Sequence, residues 1–82
     1  MFTVYVFYSE KYDKIYIGYT SNIEQRFLSH NKLSKTGYTV KYRPWKIVYT
    51  EKFITKKEAL QREKELKSSC GRNFIRKEIL SQ

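Results

Sequence analysis

The pattern of apolar and polar positions along the chain predicts three β-strands. Residues 2–8 (FTVYVFY) are almost entirely β-branched or aromatic, and residues 14–18 (KIYIG) and 45–51 (WKIVYTE) are shorter runs of the same kind. Such runs are typical of strands. Because only a short polar segment separates the first two runs, we expect them to pair as an antiparallel hairpin.

A first helix is predicted directly after the hairpin. Ser21 is followed three residues later by Glu24, a capping-box spacing that marks a helix start, and the helical pattern runs to about Lys32. Residues 33–44 contain serine, glycine and proline among basic residues. We therefore expect a loop with little regular structure over that stretch.

Two further helices are predicted in the second half of the chain. Thr55 and Glu58 repeat the capping-box spacing and open a helix from residue 56 to about residue 68. Gly71 is expected to separate this helix from a last one near residues 72–80. Three short strands with helices packed on them indicate an α/β or α+β sandwich.

The composition predicts one folded domain over residues 1–82. Hydrophobic residues make up 40% of the chain, which favours a packed core over disorder. No apolar run approaches the roughly 20 residues that a membrane span needs, and the N-terminus lacks the regions of a signal peptide. Cys70 is the only cysteine, so no internal disulfide is possible. We therefore expect a soluble cytoplasmic protein without a membrane partner.

The charge is large and unevenly placed along the sequence. The net charge is +9, yet residues 1–31 carry three cations against three carboxylates, so the excess lies in residues 32–82. A basic surface favours a polyanion, because each neutralised phosphate releases condensed counterions. Many small proteins are basic for solubility alone, so charge permits nucleic-acid binding without establishing it.

Helical geometry places two polar residues of the first helix on its apolar side. At about 100° per residue, Arg26 and His30 fall within the stripe formed by Ile23 and Phe27. That stripe must face the sheet. We therefore expect both polar side chains to point toward the body of the protein, stacked one turn apart.

The second long helix carries an acid on its apolar face. Glu63 lies about 40° from Ala59, near the middle of the stripe that should face the core. A carboxylate in that position is costly unless it is paired or binds a cation. Two interpretations stay open: a salt bridge to Arg26 or Arg62, and a functional cation site.

Two strand tyrosines are candidates for chemistry. Tyr5 alternates with valines and Tyr16 with isoleucines, so in a paired hairpin both phenols can project from the same side of the sheet. Each is equally compatible with simple packing, since the chain has eight tyrosines. One cysteine and one histidine exclude a structural zinc site of the Cys/His kind, and there is no Walker-type or dinucleotide-binding glycine-rich loop.

These residues form a pattern that resembles the GIY-YIG nuclease signature. It consists of Val4-Tyr5-Val6, then Tyr16-Ile17-Gly18 after a short hairpin, then Arg26 eight residues on. The stretch YIGYTSNIEQRFLSHN resembles the short standalone GIY-YIG proteins of bacteria, and KKEALQREKELKS resembles the helix with the family's metal-binding glutamate, here Glu63. The resemblance covers about residues 2–80. It implies a small three-stranded antiparallel sheet flanked by three helices.

The sequence departs from the family pattern at four places. The first triplet, Thr3-Val4-Tyr5, lacks the family's glycine, and Tyr19 stands where several members, including the repair-incision enzymes, have lysine. His30 stands where those enzymes have tyrosine and where some restriction enzymes of the family have histidine. Asn73 is the only candidate for an asparagine that many members place on the last helix. These departures bear on catalytic strength and substrate rather than on the fold.

The resemblance implies a metal-dependent DNA endonuclease, with repair or recombination as the pathways it suggests. One Mg²⁺ or Mn²⁺ would bind Glu63, and Arg26 would donate to the scissile phosphate. Tyr5 or Tyr16 would orient or deprotonate the attacking water, and His30 could take that proton. The choice between the two tyrosines stays open.

Contacts to flanking DNA phosphates are expected outside that centre. The candidates are Tyr19, Lys41, Arg43, Arg62, Lys67, Arg72 and Asn73. Two other functions stay open: a nucleic-acid-binding module on the same fold with weak or lost cleavage, and a basic protein-interaction domain. An inward-facing Glu63 favours the enzyme, because a carboxylate repels phosphate unless a cation intervenes.

Overall fold

A computed structural model describes residues 1–29, 31 and 38–80, and it confirms a three-stranded antiparallel sheet with helices packed on it. The elements are β1 (Phe2–Ser9), β2 (Lys14–Thr20), α1 (Ile23–Leu28), α2 (Tyr38–Lys41), β3 (Lys46–Phe53), α3 (Lys56–Lys67), α4 (Ser69–Phe74) and a π-helical α5 (Ile75–Leu80). The strand order is β2-β1-β3, so β1 is central and the other two strands form the edges. Within the described ranges, no helix is long and apolar enough to cross a membrane.

The predicted hairpin of β1 and β2 is confirmed, and its turn is tied to the last helix. Asp13 adopts a positive φ of 53° in the turn, a left-handed conformation that aspartate tolerates better than most residues. Its carboxylate accepts a hydrogen bond from the hydroxyl of Tyr8 at 2.8 Å and pairs with the guanidinium of Arg76 at 3.0 Å. The turn is therefore held from both the sheet and α5.

One face of the sheet is aliphatic and carries the main core. Val4 and Val6 of β1 are fully buried, and with Ile17 of β2 they pack against helical residues. Those helical residues are Ala59, Leu66 and Ile75. Because strand side chains alternate between faces, the valines of β1 commit one face of the central strand to this core.

The other face of the sheet is aromatic. Tyr5 and Phe7 of β1 are fully buried, and with Trp45 they form a second cluster. Ile23 and Phe27 of α1 pack on this cluster as partly buried residues, as the helical pattern predicts. Helix α1 is six residues long and buries none of its own residues completely, and Tyr16 and Tyr42 also pack on the cluster.

The start of α1 differs from the capping-box prediction. The N-cap is Asn22 rather than Ser21, and its side chain accepts a hydrogen bond from the backbone N–H of Gln25 at 3.1 Å. Asparagine is among the best N-cap residues, so it competes successfully with the neighbouring serine. Helix α1 itself ends at Leu28, and the prediction of a helix to about Lys32 extends over residues 30 and 32, which lie outside the described residues.

The region predicted as a loop over residues 33–44 contains one short helix. Helix α2 covers Tyr38–Lys41, so the prediction of little regular structure is wrong for these four residues. The following Tyr42 packs against the aromatic cluster, a tertiary contact that sequence pattern does not reveal. Residues 32–37 lie outside the described residues.

The break between the last helices falls earlier than predicted. Helix α3 begins at its predicted cap, where the Thr55 side chain accepts from the N–H of Glu58, and it ends at Lys67. Ser68 then caps α4, because its side chain accepts from the N–H of Gly71. Gly71 lies inside α4 rather than between helices. A β-carbon at this position would collide with the backbone of Glu65 and Leu66 on α3. Glycine therefore permits close packing of α4 on α3.

Candidate active site

The two candidate phenols lie side by side on the aromatic face of the sheet. Phe7 pairs with Tyr16 across the hairpin, and Tyr5 pairs with Gly18, so Tyr5 and Tyr16 are diagonal neighbours. Their rings are stacked with centroids 6.4 Å apart and an interplanar angle of 15°. The expectation that both phenols project from one side of the sheet is confirmed.

Gly18 provides the space that the Tyr5 ring occupies. A β-carbon at position 18 would lie 2.5 Å from the hydroxyl oxygen of Tyr5 and 2.7 Å from the ring carbon that carries it. The buried ring therefore lies directly across the glycine on the neighbouring strand. Any larger residue at position 18 would displace the phenol, which gives the glycine of the YIG triplet a steric reason.

Arg26 joins α1 to the phenols. Its Nε donates a hydrogen bond to the hydroxyl of Tyr5 at 3.1 Å, although the residue as a whole is exposed. This hydrogen bond, with further hydrogen bonding and charge at Tyr16, raises the pKa of the Arg26 guanidinium. The expectation that Arg26 points toward the body of the protein is confirmed.

Three groups of the candidate site affect the pKa of Tyr5: Arg26, Tyr16 and Glu63. Burial raises the pKa of the Tyr5 phenol, the hydrogen bond and charge of Arg26 partly oppose that shift, and the negative charges of Tyr16 and Glu63 add to it. The carboxylate of Glu63 on α3 therefore lies within electrostatic reach of the phenol on β1. Tyr5 stays protonated at neutral pH.

Glu63 is neither in open solvent nor tightly paired. Its side chain is 17% exposed, and its Oε1 lies 3.6 Å from the Nζ of Lys67, one helical turn on. That distance is an ion pair but longer than a hydrogen bond. Because the Lys67 side chain is 50% exposed, the ammonium can move into solvent and leave the carboxylate oxygens to another cation.

The salt bridge expected as the alternative role of Glu63 has a different partner. Arg62 does not pair with it: the guanidinium binds Glu51 at 2.8 Å and Glu65 at 3.1 Å. Arg26 binds Tyr5 instead. The interpretation in which Glu63 pairs with either arginine is therefore wrong, and its ion pair with Lys67 replaces it.

A polar groove lies along the β2 edge of the sheet beside these groups. It has a volume of about 340 Å³ and is lined by Ile15, Tyr16, Ile17, Lys67 and Arg72. Two cations and a phenol on its walls suit a phosphate chain. Lys67 of this groove also pairs with Glu63, so the carboxylate lies one ion pair from the groove wall.

The donor set fits a hydrated divalent cation rather than a caged one. No group of three or more histidine, cysteine, aspartate or glutamate residues comes together in the described part of the chain. A metal at Glu63 would have one protein carboxylate, with water and phosphate oxygens completing the shell. Mg²⁺ and Mn²⁺ accept such sites, since they favour hard oxygen ligands and retain waters.

The residues predicted to bind flanking phosphates lie in different surroundings. Lys67 and Arg72 line the groove, and Lys41 and Asn73 are exposed elsewhere. Tyr19 is on the other side of the sheet, packed against the aliphatic core. Arg43 donates to the backbone carbonyl of Ser29 at 3.3 Å, and Arg62 is engaged by the two glutamates already described. His30 lies outside the described residues.

One residue that supports the site has no sequence signal. The amide of Asn31 binds the backbone of Trp45 twice, donating to its carbonyl at 3.0 Å and accepting from its N–H at 2.6 Å. Trp45 in turn packs edge-on against Tyr16, with centroids 6.2 Å apart. Asn31 therefore holds Trp45 in place within the aromatic cluster. The sequence does not predict this role, because Asn31 reads only as a polar residue near the end of a predicted helix.

Comparisons with known proteins point to one family. The family model described as the GIY-YIG catalytic domain matches residues 1–76. A UPF0213 protein of Staphylococcus haemolyticus is 43% identical over 58 residues, which cover 71% of this chain and 71% of the relative. A UPF0213 protein of Staphylococcus saprophyticus is 46% identical over 54 residues, which cover 66% of each chain.

The similarity extends beyond staphylococci. A UPF0213 protein of Natronomonas pharaonis is 41% identical over 56 residues, which cover 68% of this chain and 66% of the relative. The matched part therefore spans about two thirds of the length of these relatives. No solved structure matches the chain.

Proposed function

Because the chain belongs to the family of the GIY-YIG catalytic domain, a nuclease superfamily, we propose that it is a metal-dependent DNA endonuclease. One observation carries the proposal: a mostly buried carboxylate, Glu63, pairs with Lys67, which lines one groove with the Tyr16 phenol that stacks on Tyr5. A surface that only binds phosphate gains nothing from an acid so near its cations. A hydrolase needs one, because a divalent cation requires a hard anionic ligand.

Glu63 would hold one Mg²⁺ or Mn²⁺, which supplies charge neutralisation at the scissile phosphate and at the leaving oxygen when bound. The chain's own contribution is to orient that carboxylate from a helix that packs across all three strands. Sites on rigid elements hold their geometry better than sites on loops. Among the described residues, Glu63 is the acid proposed as the metal ligand, so oxygens of the substrate would complete the coordination of the metal.

Arg26 would bind the scissile phosphate. Its Nε is committed to Tyr5, but a guanidinium has five N–H donors in a fixed fork, so donors remain for phosphate oxygens. The bond to Tyr5 holds the fork in place before substrate arrives. A preorganised cation costs less to bring into the transition state than a flexible one.

The two phenols would have different roles. The raised pKa of Tyr5 keeps that phenol protonated, so it suits hydrogen bonding and orientation better than proton abstraction. Tyr16 lines the groove, where an attacking water could approach it, which makes it the better candidate for the base. His30, as the chain's only imidazole, is a further proton acceptor in the proposal.

A second candidate function is nucleic-acid binding with weak or lost cleavage. The ion pair between Lys67 and Glu63 favours it, because an internal ammonium already neutralises the acid that a metal would need. The net charge of +9 supports binding in either case. Metal-dependent nicking decides between the two functions.

Replacing Glu63 with glutamine tests the proposal. Wild-type protein should nick supercoiled DNA in Mg²⁺ or Mn²⁺ but not in EDTA. Glu63→Gln should lose nicking and bind DNA as well or better, because a negative charge is removed. Glu65→Gln is the matched control on the same helix: its side chain is 54% exposed, so nicking should persist.

Equal nicking by the wild type and Glu63→Gln would contradict the proposed site. Binding without nicking in any metal would favour the second function. A panel of duplex, flap, branched and single-stranded DNA then defines the substrate and tests the proposed role in repair or recombination. Cytoplasmic location, the natural setting for such an enzyme, is tested by fractionating cells.

A further inference from the structure

A pair of aromatic rings, one exposed and one partly buried, lies at the turn end of the hairpin. Tyr12, in the β1–β2 turn, is 42% exposed. Its ring meets the ring of Tyr42 edge to face, with centroids 5.4 Å apart and planes at 70°. The two residues come from segments thirty positions apart in the sequence, so only the tertiary structure brings them together.

Three lysines surround this pair. The Nζ of Lys11 lies 5.5 Å from the centroid of the Tyr12 ring, and the Nζ atoms of Lys14 and Lys41 each lie 5.5 Å from that of Tyr42. All three lysines are exposed. We name these five residues the Tyr12–Tyr42 platform. Exposed cation–π contacts are weak, so the ammonium groups can turn toward a better anion.

The acids of the turn do not neutralise the platform. Asp13 is engaged by Tyr8 and Arg76, and Glu10 pairs with Lys46 at 2.8 Å. The turn is neutral in sequence because its two acids offset two lysines. In the structure both acids pair with cations from other elements, and the charge of Lys14 also acts on Asp13. With Lys46 and Arg76 counted, the cations around the two rings still outnumber the two acids.

The platform continues from the candidate active site. Tyr42 packs against the same aromatic cluster that contains Tyr5. Lys14 lies two residues before Tyr16 on β2, which places both side chains on one face of the strand with α-carbons about 7 Å apart. A nucleic-acid strand whose phosphate is held at Tyr16 would therefore reach Lys14 with its next phosphate.

We propose that the Tyr12–Tyr42 platform binds unpaired nucleotides next to the scissile phosphate, one base stacking on Tyr12 and phosphates pairing with the lysines. Aromatic faces flanked by cations are the general means of holding single strands, because every base has a π-face and every linkage a charge. A base in a duplex is stacked on its neighbours and cannot reach Tyr12. The adjacency to the scissile phosphate rests on the proposed function. It predicts a preference for substrates with a single-stranded segment.

Binding of a fluorescein-labelled oligothymidylate in EDTA tests the platform without cleavage. Tyr12→Ala should weaken binding about tenfold, within the range for loss of one stacked base. Tyr12→Phe keeps the ring and should bind as wild type. Phe74→Ala, which removes an equally accessible aromatic residue on α4, should leave binding unchanged.

Three comparisons complete the experiment. A duplex of equal length should bind Tyr12→Ala and wild type alike, and an oligouridylate shows whether the site accepts RNA as well as DNA. Vesicles of phosphatidylserine test the other polyanion that lysines and tyrosines attract. Oligothymidylate affinity that is unchanged by Tyr12→Ala, or Tyr12-dependent retention by vesicles without oligonucleotide binding, would overturn the proposal.

The outcomes for platform and active site are separable. If wild type fails to nick DNA but its oligothymidylate binding depends on Tyr12, the platform stands as a single-strand site and the nuclease proposal fails. If nicking depends on Glu63 while Tyr12→Ala binds normally, the nuclease stands and the platform is wrong.

Discussion

The two faces of the sheet differ in chemistry although they share the same central strand. One face of β1 presents Val4 and Val6 to an aliphatic core that three helical residues close. The other presents Tyr5 and Phe7 to an aromatic cluster, on which a helix without a fully buried residue packs. Alternation along one strand therefore separates the part of the molecule that supplies stability from the part that holds polar groups ready for a substrate.

The polar groups on the aromatic face have a physical consequence. A phenol can be buried there because its ring packs while its hydroxyl bonds to a partner such as Arg26. Valine and leucine offer no such polar group. We therefore expect substitutions on the aliphatic face to change the free energy of unfolding, and substitutions on the aromatic face to change activity.

The largest expected effect is on stability from the aliphatic face. Leu66 is 1% exposed, so Leu66→Ala leaves a cavity and should lower the free energy of unfolding by about 3 kcal/mol. Urea denaturation followed by circular dichroism measures the change. Leu60→Ala on the same helix is the control: Leu60 is 39% exposed and should cost less than about 1 kcal/mol. Equal losses would contradict a core whose stability depends on the buried Leu66.

The next effect is on activity from the aromatic face. Tyr5→Phe keeps the ring and removes the hydroxyl that positions Arg26, so the nicking rate should fall about 100-fold. Unfolding should change by only about 1 kcal/mol, the contribution of one hydrogen bond. Tyr49→Phe removes a phenol that bonds Glu51, away from the site, and nicking should be unaffected. A Tyr5→Phe enzyme of full activity would contradict the role of this phenol.

The smallest effect is the pH dependence of stability that burial of Tyr5 imposes. The pKa of its phenol is raised above 10.0 in the folded state, chiefly by desolvation. Folding therefore favours the neutral phenol, and this stabilisation is present below pH 10 and is lost as pH rises through the folded-state pKa. Between pH 9 and 11, wild type should lose stability faster than Tyr5→Phe in urea titrations. Parallel curves would contradict the raised pKa.

The helical pattern predicted which way Arg26 and Glu63 would point, but not what they would meet. Angular position on a helix is local, so it identifies a polar residue on an apolar face from sequence alone. The partner of Glu63 was not predictable in this way. Lys67 and Arg62 are both near it in sequence, so rotamers decide between them, and whether Arg26 of another helix approaches depends on the tertiary structure. The same limit explains why Asn22 rather than Ser21 caps α1.

The sequence by itself determined the three strands, the two helices α1 and α3 between and after them, the inward faces of those helices and the family, because these depend on local spacing and residue type. Only the tertiary structure decided that the Tyr5 ring lies across Gly18 and that Gly71 lets α4 approach α3. It also decided that Tyr12 meets Tyr42 among lysines. These contacts join segments distant in sequence, and their geometry follows from packing the whole chain at once.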